Sequence, residues 1–152
     1  MIAALTTACF VAAAQAYAIP QETFYVVAMR LEGGWEGLAK PNRRKDGTIR
    51  SEDLGRYQVN TAWVHAFTGY WQKNGWLDVR ATDRDTYLLL RDDGCANAYA
   101  ASAILRYYWQ MTGNLQRAVA YYHTGPKGSA EEMSRYLGRY RSAMAAFGYR
   151  PQ

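Results

Sequence analysis

The sequence predicts an all-α domain, and three observations lead there. Apolar residues recur at helical spacing in several separate stretches, and turn signals such as Gly33-Gly34, Asn74-Gly75 and Gly113-Asn114 punctuate them. No stretch shows the period-two alternation of a half-buried strand. The length, 152 residues, suits one domain with a real core. Hydrophobic content of 49% and charged content of 20% belong to a globular chain rather than a disordered one. Thirteen Tyr and five Trp suit a core, or a groove that stacks on sugar rings or bases.

Residues 1–18 carry no charged side chain and read as an apolar leader, with Ala16-Tyr17-Ala18 supplying the small residues a signal peptidase needs. The expected organisation is a signal peptide over 1–18 and one domain over 19–152. The run is too short for a comfortable transmembrane span. It also lacks the usual N-terminal Lys or Arg, and a buried N-terminal helix is the alternative reading. Removal of the leader takes Cys9 with it, leaving Cys95 with no partner for an internal disulfide.

The helices follow in order. Pro20 suits a first turn, and Phe24, Val27, Ala28 and Leu31 share a face up to Gly33-Gly34. Residues 35–54 are polar and predict a loop turning at Asp46-Gly47. Asn60 caps a helix from Thr61 to about Tyr70, carrying Trp63, Val64 and Phe67. Thr82 or Asp83 caps a short helix through Tyr87 to Leu90. Cys95 to Met111 is a long Ala-rich helix with Ala98, Ala101, Leu105 and Tyr108 at core spacing; its small residues let neighbours approach closely. Asn97 reads as a cap near its start. Leu115 to Tyr122 and Glu131 to Phe147 complete the set, the last with Met133, Tyr136, Leu137, Tyr140 and Met144 on its apolar side.

The chemistry centres on Glu32. It closes an apolar helix just before a glycine pair. The negative end of the helix dipole and the apolar neighbours both disfavour ionisation, which makes Glu32 a candidate general acid. The formal charge of +5 would attract nucleic acid, an anionic membrane or an anionic wall polymer, and does not choose among them. The two histidines are far apart, with no Cys/His spacing around them, so no metal site is expected. Gly33-Gly34 lacks the flanks of a phosphate loop, and no cofactor is expected.

Four segments in order resemble the signature of the soluble lytic transglycosylases, the lysozyme-like peptidoglycan lyases. Leu31-Glu32-Gly33-Gly34 resembles their Glu-Ser motif, with Gly33 in place of Ser. Asp53-Leu54-Gly55-Arg56-Tyr57-Gln58-Val59-Asn60 resembles their Gly-Leu-Met-Gln-Ile-Asn motif. Tyr122-His123-Thr124-Gly125-Pro126 resembles Tyr-Asn-Ala-Gly-Pro, with His123 in place of Asn. Glu132-Met133-Ser134-Arg135-Tyr136-Leu137 resembles Glu-Thr-x-x-Tyr-Val. Cys95-Ala96-Asn97 is similar to the helix start of members that serve conjugation, pilus and secretion machines.

The resemblance implies a lysozyme-like single helical domain and an exported enzyme of the periplasm or cell envelope. It implies cleavage of the N-acetylmuramic acid–β-1,4–N-acetylglucosamine bond without water, giving 1,6-anhydro ends. Glu32 would be the catalytic acid and then the base, in place of the two carboxylates most glycosidases use. Tyr122 and Tyr136 would line the site near the glutamate. Gln58 would meet an acetamido group or sugar hydroxyl, Tyr57 would pack on a sugar, and His123 would donate to substrate. The implied partners are glycan strands and an envelope apparatus. A hydrolytic muramidase of the same fold is one rival and would recruit Asp46, Glu52 or Asp53 as a second carboxylate. A non-catalytic wall-binding scaffold is another. A nucleic-acid binder is disfavoured by the export signal.

Overall fold

The computed structural model describes residues 1–150. Helices α1 (Thr7–Ala16) and α2 (Gln21–Val26) open the fold, and a wider π-helical turn carries α2 on from Val27 to Glu32. Strands β1 (Ala39–Arg43), β2 (Ile49–Leu54) and β3 (Val59–Asn60) follow. After one 3₁₀ turn at Thr61–Trp63 come α3 (Val64–Lys73), α4 (Asp83–Asp92), α5 (Gly94–Thr112), α6 (Leu115–Thr124) and α7 (Ala130–Ala146).

The molecule is mainly helical, but the all-α expectation is corrected by a three-stranded antiparallel sheet in the order β1-β2-β3. Ala39 pairs with Leu54 and Asn42 with Ser51, while β3 pairs Val59 with Leu54. The hairpin turns where Asp46-Gly47 predicts, with Asp46 accepting from the Thr48 amide at 2.9 Å. Most β1 and β2 side chains stand in or near solvent. Of β1 and β2 only Leu54 is buried, so these strands carry no apolar alternation and the backbone ladder defines them.

The caps explain why the helices start where they do. The Asn60 side chain accepts from the Ala62 amide, and Thr82–Asp85 and Ser129–Glu132 form reciprocal capping boxes. At α5 the cap is Asp93, which accepts from the amides of Cys95 and Ala96 at 2.8 and 2.9 Å. Asn97 is therefore not the cap; it lies one turn inside and is buried.

Helix α5 is the central post. Ala98, Ala100 and Ala101 present no bulk, so α1 and α6 pack close against it. Ala13 and Ala14 of α1 are fully buried, and the buried Ser102 hydroxyl donates to the Ala13 carbonyl at 2.8 Å. Phe10 stacks on Phe24, which stacks on Tyr57, with centroids 5.3 and 4.4 Å apart. The segment expected to be a leader thus contributes to the core. With residues 1–18 in place, Cys9 and Cys95 are disulfide-bonded, a pair that the expected removal of the leader would not leave. The pair joins α1 to the first turn of α5. Among the described residues, no helix is long and apolar enough to cross a membrane.

Candidate active site

Glu32 ends the widened turn of α2. Gly33 takes the left-handed conformation, φ 62°, and its amide donates to Ala28, five residues back, at 3.2 Å. That i→i−5 widening is typical of functional positions in helices, and glycine accepts the positive φ without strain. The Glu32 side chain is only 9% exposed. The Tyr136 hydroxyl donates to its Oε1 at 2.5 Å, and Nδ1 of His123 lies 3.3 Å from the same oxygen. With its proton on Nδ1, His123 is the second donor. The His123 and Tyr136 rings stack at 4.1 Å and 6°. Burial first, and the Glu32 charge second, push the Tyr136 phenol well above its usual range, so it stays a proton donor to the carboxylate.

Distant sequence meets here because α7 lies against α2. The buried Thr23 and Tyr140 hydroxyls bond at 2.9 Å, and Arg139 donates to the Leu31 carbonyl at 3.3 Å. Tyr140 and Tyr136 are four residues apart on one face of α7, so fixing the first sets the second over Glu32.

The turn at residues 55–58 forms the next wall. Gly34 donates to the Arg56 carbonyl at 3.1 Å. A Cβ on Gly34 would run into the Gly55 carbonyl and reach within 2.8 Å of the Arg56 carbonyl. The buried Asn97 side chain holds this turn from behind. It accepts from the Tyr57 amide at 2.8 Å and donates to the carbonyls of Leu54 and Leu90 at 2.8 and 2.7 Å. Gly55, φ 66°, lies so close that a Cβ would meet the Asn97 amide nitrogen at 2.6 Å. Tyr122 closes the turn, its hydroxyl donating to the Tyr57 carbonyl at 2.7 Å.

Three expectations change as a result. Tyr57 is fully buried against Phe24, so its ring is a core group and not a sugar platform. Tyr122 holds the turn beside the acid rather than the acid itself; burial and then the Glu32 charge push its phenol well above the usual range. Gln58, at φ 52° and 8% exposed, donates Nε2 to Gly55 at 2.7 Å, which makes it first an anchor of the turn. Tyr136 and His123 do converge on Glu32. The other acids considered are already engaged: Glu52 accepts from Tyr87 at 3.1 Å, Asp53 from Asn60 at 2.7 Å and Asp46 from the Thr48 hydroxyl at 2.7 Å.

Sequence reasoning missed a second charged pair. Arg56 makes a two-pronged bond with Glu36, Nε to Oε1 at 3.0 Å and one terminal nitrogen to Oε2 at 2.9 Å. Glu36 also accepts from the Leu5 amide at 2.9 Å. The Arg56 guanidinium, with the Leu5 amide adding to it, holds the Glu36 carboxyl down at about 2 against some opposition from burial. Glu36 thereby ties the N-terminal segment to the turn at 55–58. No local pattern marks it, because both partners sit in irregular chain. Beside Tyr136 and His123 opens a cavity of about 430 Å³, lined also by Thr124, Glu132, Arg135 and Arg139. No protein-family model matches the chain, and no curated protein matches it in sequence.

Proposed function

We propose that the protein is a peptidoglycan lytic transglycosylase with a lysozyme-like fold, acting in the cell envelope. The observation that carries this reading is the Tyr136–Glu32 bond at 2.5 Å, a phenol from the last helix reaching the one carboxyl group at the close of the second. Both donors meet Oε1, so Oε2 is the oxygen left to a substrate. In this reading Oε2–H of Glu32 protonates the glycosidic oxygen, and the leaving sugar departs. The substrate's own 2-acetamido carbonyl stabilises C1. Glu32, now a carboxylate held by Tyr136 and His123, takes the proton of the C6 hydroxyl as that oxygen closes on C1. One residue serves as acid and then base, and no water is consumed.

Several features support it. The Glu32 side chain is largely withdrawn from water. The motif segments 32–34, 55–58, 122–123 and 136 come together around it. A disulfide suits an exported, oxidising setting. Service to a secretion, pilus or conjugation apparatus rests on the similarity at Cys95-Ala96-Asn97.

The test is digestion of purified cell wall followed by mass spectrometry of the products. Anhydro-muramic ends are expected, and Glu32→Gln should lower their rate by at least about a hundredfold. Reducing muramic ends would establish a hydrolytic muramidase instead, and unchanged solubilisation by Glu32→Gln would remove Glu32 as the acid.

A further inference from the structure

We propose that Arg135 and Arg139 form a subsite for a substrate carboxylate beside Glu32, so that the site selects an acidic glycan over a neutral one. This rests on the proposed function for the identity of the glycan, and on the following geometry for the subsite. Positions 132, 135, 136 and 139 share one face of α7. That face forms one side of the 430 Å³ cavity whose other side is His123 and Thr124. The same cavity therefore holds the two donors to Glu32 and two guanidinium groups.

The cationic side chains are available. Arg139 is anchored through the Leu31 carbonyl at 3.3 Å and lies 5.9 Å above the Tyr136 ring, which orients its plane while other N–H groups remain unengaged. Its anchor is the carbonyl of the residue next to Glu32. Arg139 also borders a second cavity of about 590 Å³, which Met29 and Arg30 line as well. The Arg135 contact with Glu131 is an exposed pair four residues apart at 3.2 Å, which holds it weakly. The one acid in the cavity wall, Glu132, is committed to the start of α7, its Oε2 accepting from the amide and hydroxyl of Ser129 at 3.1 Å each. Two forked cations against the single carboxylate of Glu132 leave the cavity wall net positive and fit a planar carboxylate, which each can bind through two N–H groups.

A peptidoglycan strand offers that chemistry in two places, the lactyl group of muramic acid and the stem peptide. The full chain carrying Glu32→Gln, which binds without cutting, separates them by calorimetric titration with three strands. One keeps its stem peptides, one is stripped of peptide but keeps its lactyl carboxylates, and one is stripped and then amidated to neutrality. A strand bearing the carboxylate that the subsite reads should bind about tenfold more tightly than the amidated one. Equal binding of the stripped and peptide-bearing strands assigns the lactyl group; tighter binding of the peptide-bearing strand alone assigns the stem. In either case, adding Arg135→Gln with Arg139→Gln should abolish the discrimination, and lysine at both positions should restore part of it. Equal affinity for all three strands, or discrimination that survives the double glutamine variant, would overturn the proposal. Because binding is read without turnover, loss of the transglycosylase assignment would show separately, as intact glycan or reducing muramic ends after incubation with the wild-type chain.

Discussion

The two donors to Glu32 are unequal, and their geometry predicts unequal consequences. Tyr136 reaches Oε1 at 2.5 Å and its phenol is buried; His123 sits at 3.3 Å with nearly half of its side chain in water. Tyr136→Phe removes a hydrogen bond to a charged group and should slow turnover by roughly ten- to a hundredfold. His123→Ala removes a longer, more exposed contact and should cost less than that, and His123→Asn should recover most of it. Initial rates of anhydro-product release test the order. Glu36 is a residue of another sort. Its carboxyl is held at about 2 in the fold, below the 4.5 of a free glutamate, so its contribution to stability is present above about pH 4.5 and fades as pH falls toward 2. Glu36→Gln should therefore lower the melting temperature at neutral pH, and the gap from wild type should shrink between pH 4.5 and pH 2.

At the scale of elements, the turn at 55–58 depends on contacts made by α5 and α6. Asn97 satisfies one amide and two carbonyls of the surrounding backbone, all buried. Asn97→Ala leaves those groups unpaired, at about 1–3 kcal/mol for a buried polar group. Urea titration should show that loss. Wall digestion should fall by more than the folded fraction does, because the turn also positions the wall beside Glu32. The widened end of α2 is a second such case. Helical spacing marks Phe24, Val27, Ala28 and Leu31 as buried, and all four are. The period cannot register one extra residue in the last turn, because that depends on Gly33 taking φ 62° and on Gly34 meeting the Arg56 carbonyl.

At the scale of the whole molecule, residues 1–18 join three parts of the fold. Cys9 is bonded to Cys95 on α5, the Ala13 carbonyl takes the Ser102 hydroxyl, and the Leu5 amide meets Glu36. Cys9→Ser with Cys95→Ser should cost about 2–4 kcal/mol, measured by denaturant unfolding of the oxidised protein. A chain that starts at Ile19 loses that crosslink together with Phe10, Ala13 and Ala14. It should unfold at lower urea than the double serine variant, and it also releases Glu36 from one of its partners. A composition without charge suits a leader and a buried helix alike in polarity, since both environments exclude ions, and the expectation of a leader rests on Ala16-Tyr17-Ala18 besides.

What the sequence determined alone was whatever a local pattern can carry. The helices from α3 to α7, the caps at Asn60 and Thr82, the core face of α5 and the place of Glu32 at a helix end all follow from spacing and neighbours a few residues apart. Tertiary structure decided the rest, because the deciding partners lie far off in the chain. The Tyr136 hydroxyl, 104 residues away, reaches Glu32; the Tyr57 ring is claimed by Phe24; Arg56 finds Glu36; and a polar hairpin is defined only by its backbone ladder. A hydrogen bond between remote residues leaves no periodic trace, so only the packed chain shows which tyrosine holds the acid and which holds the wall beside it.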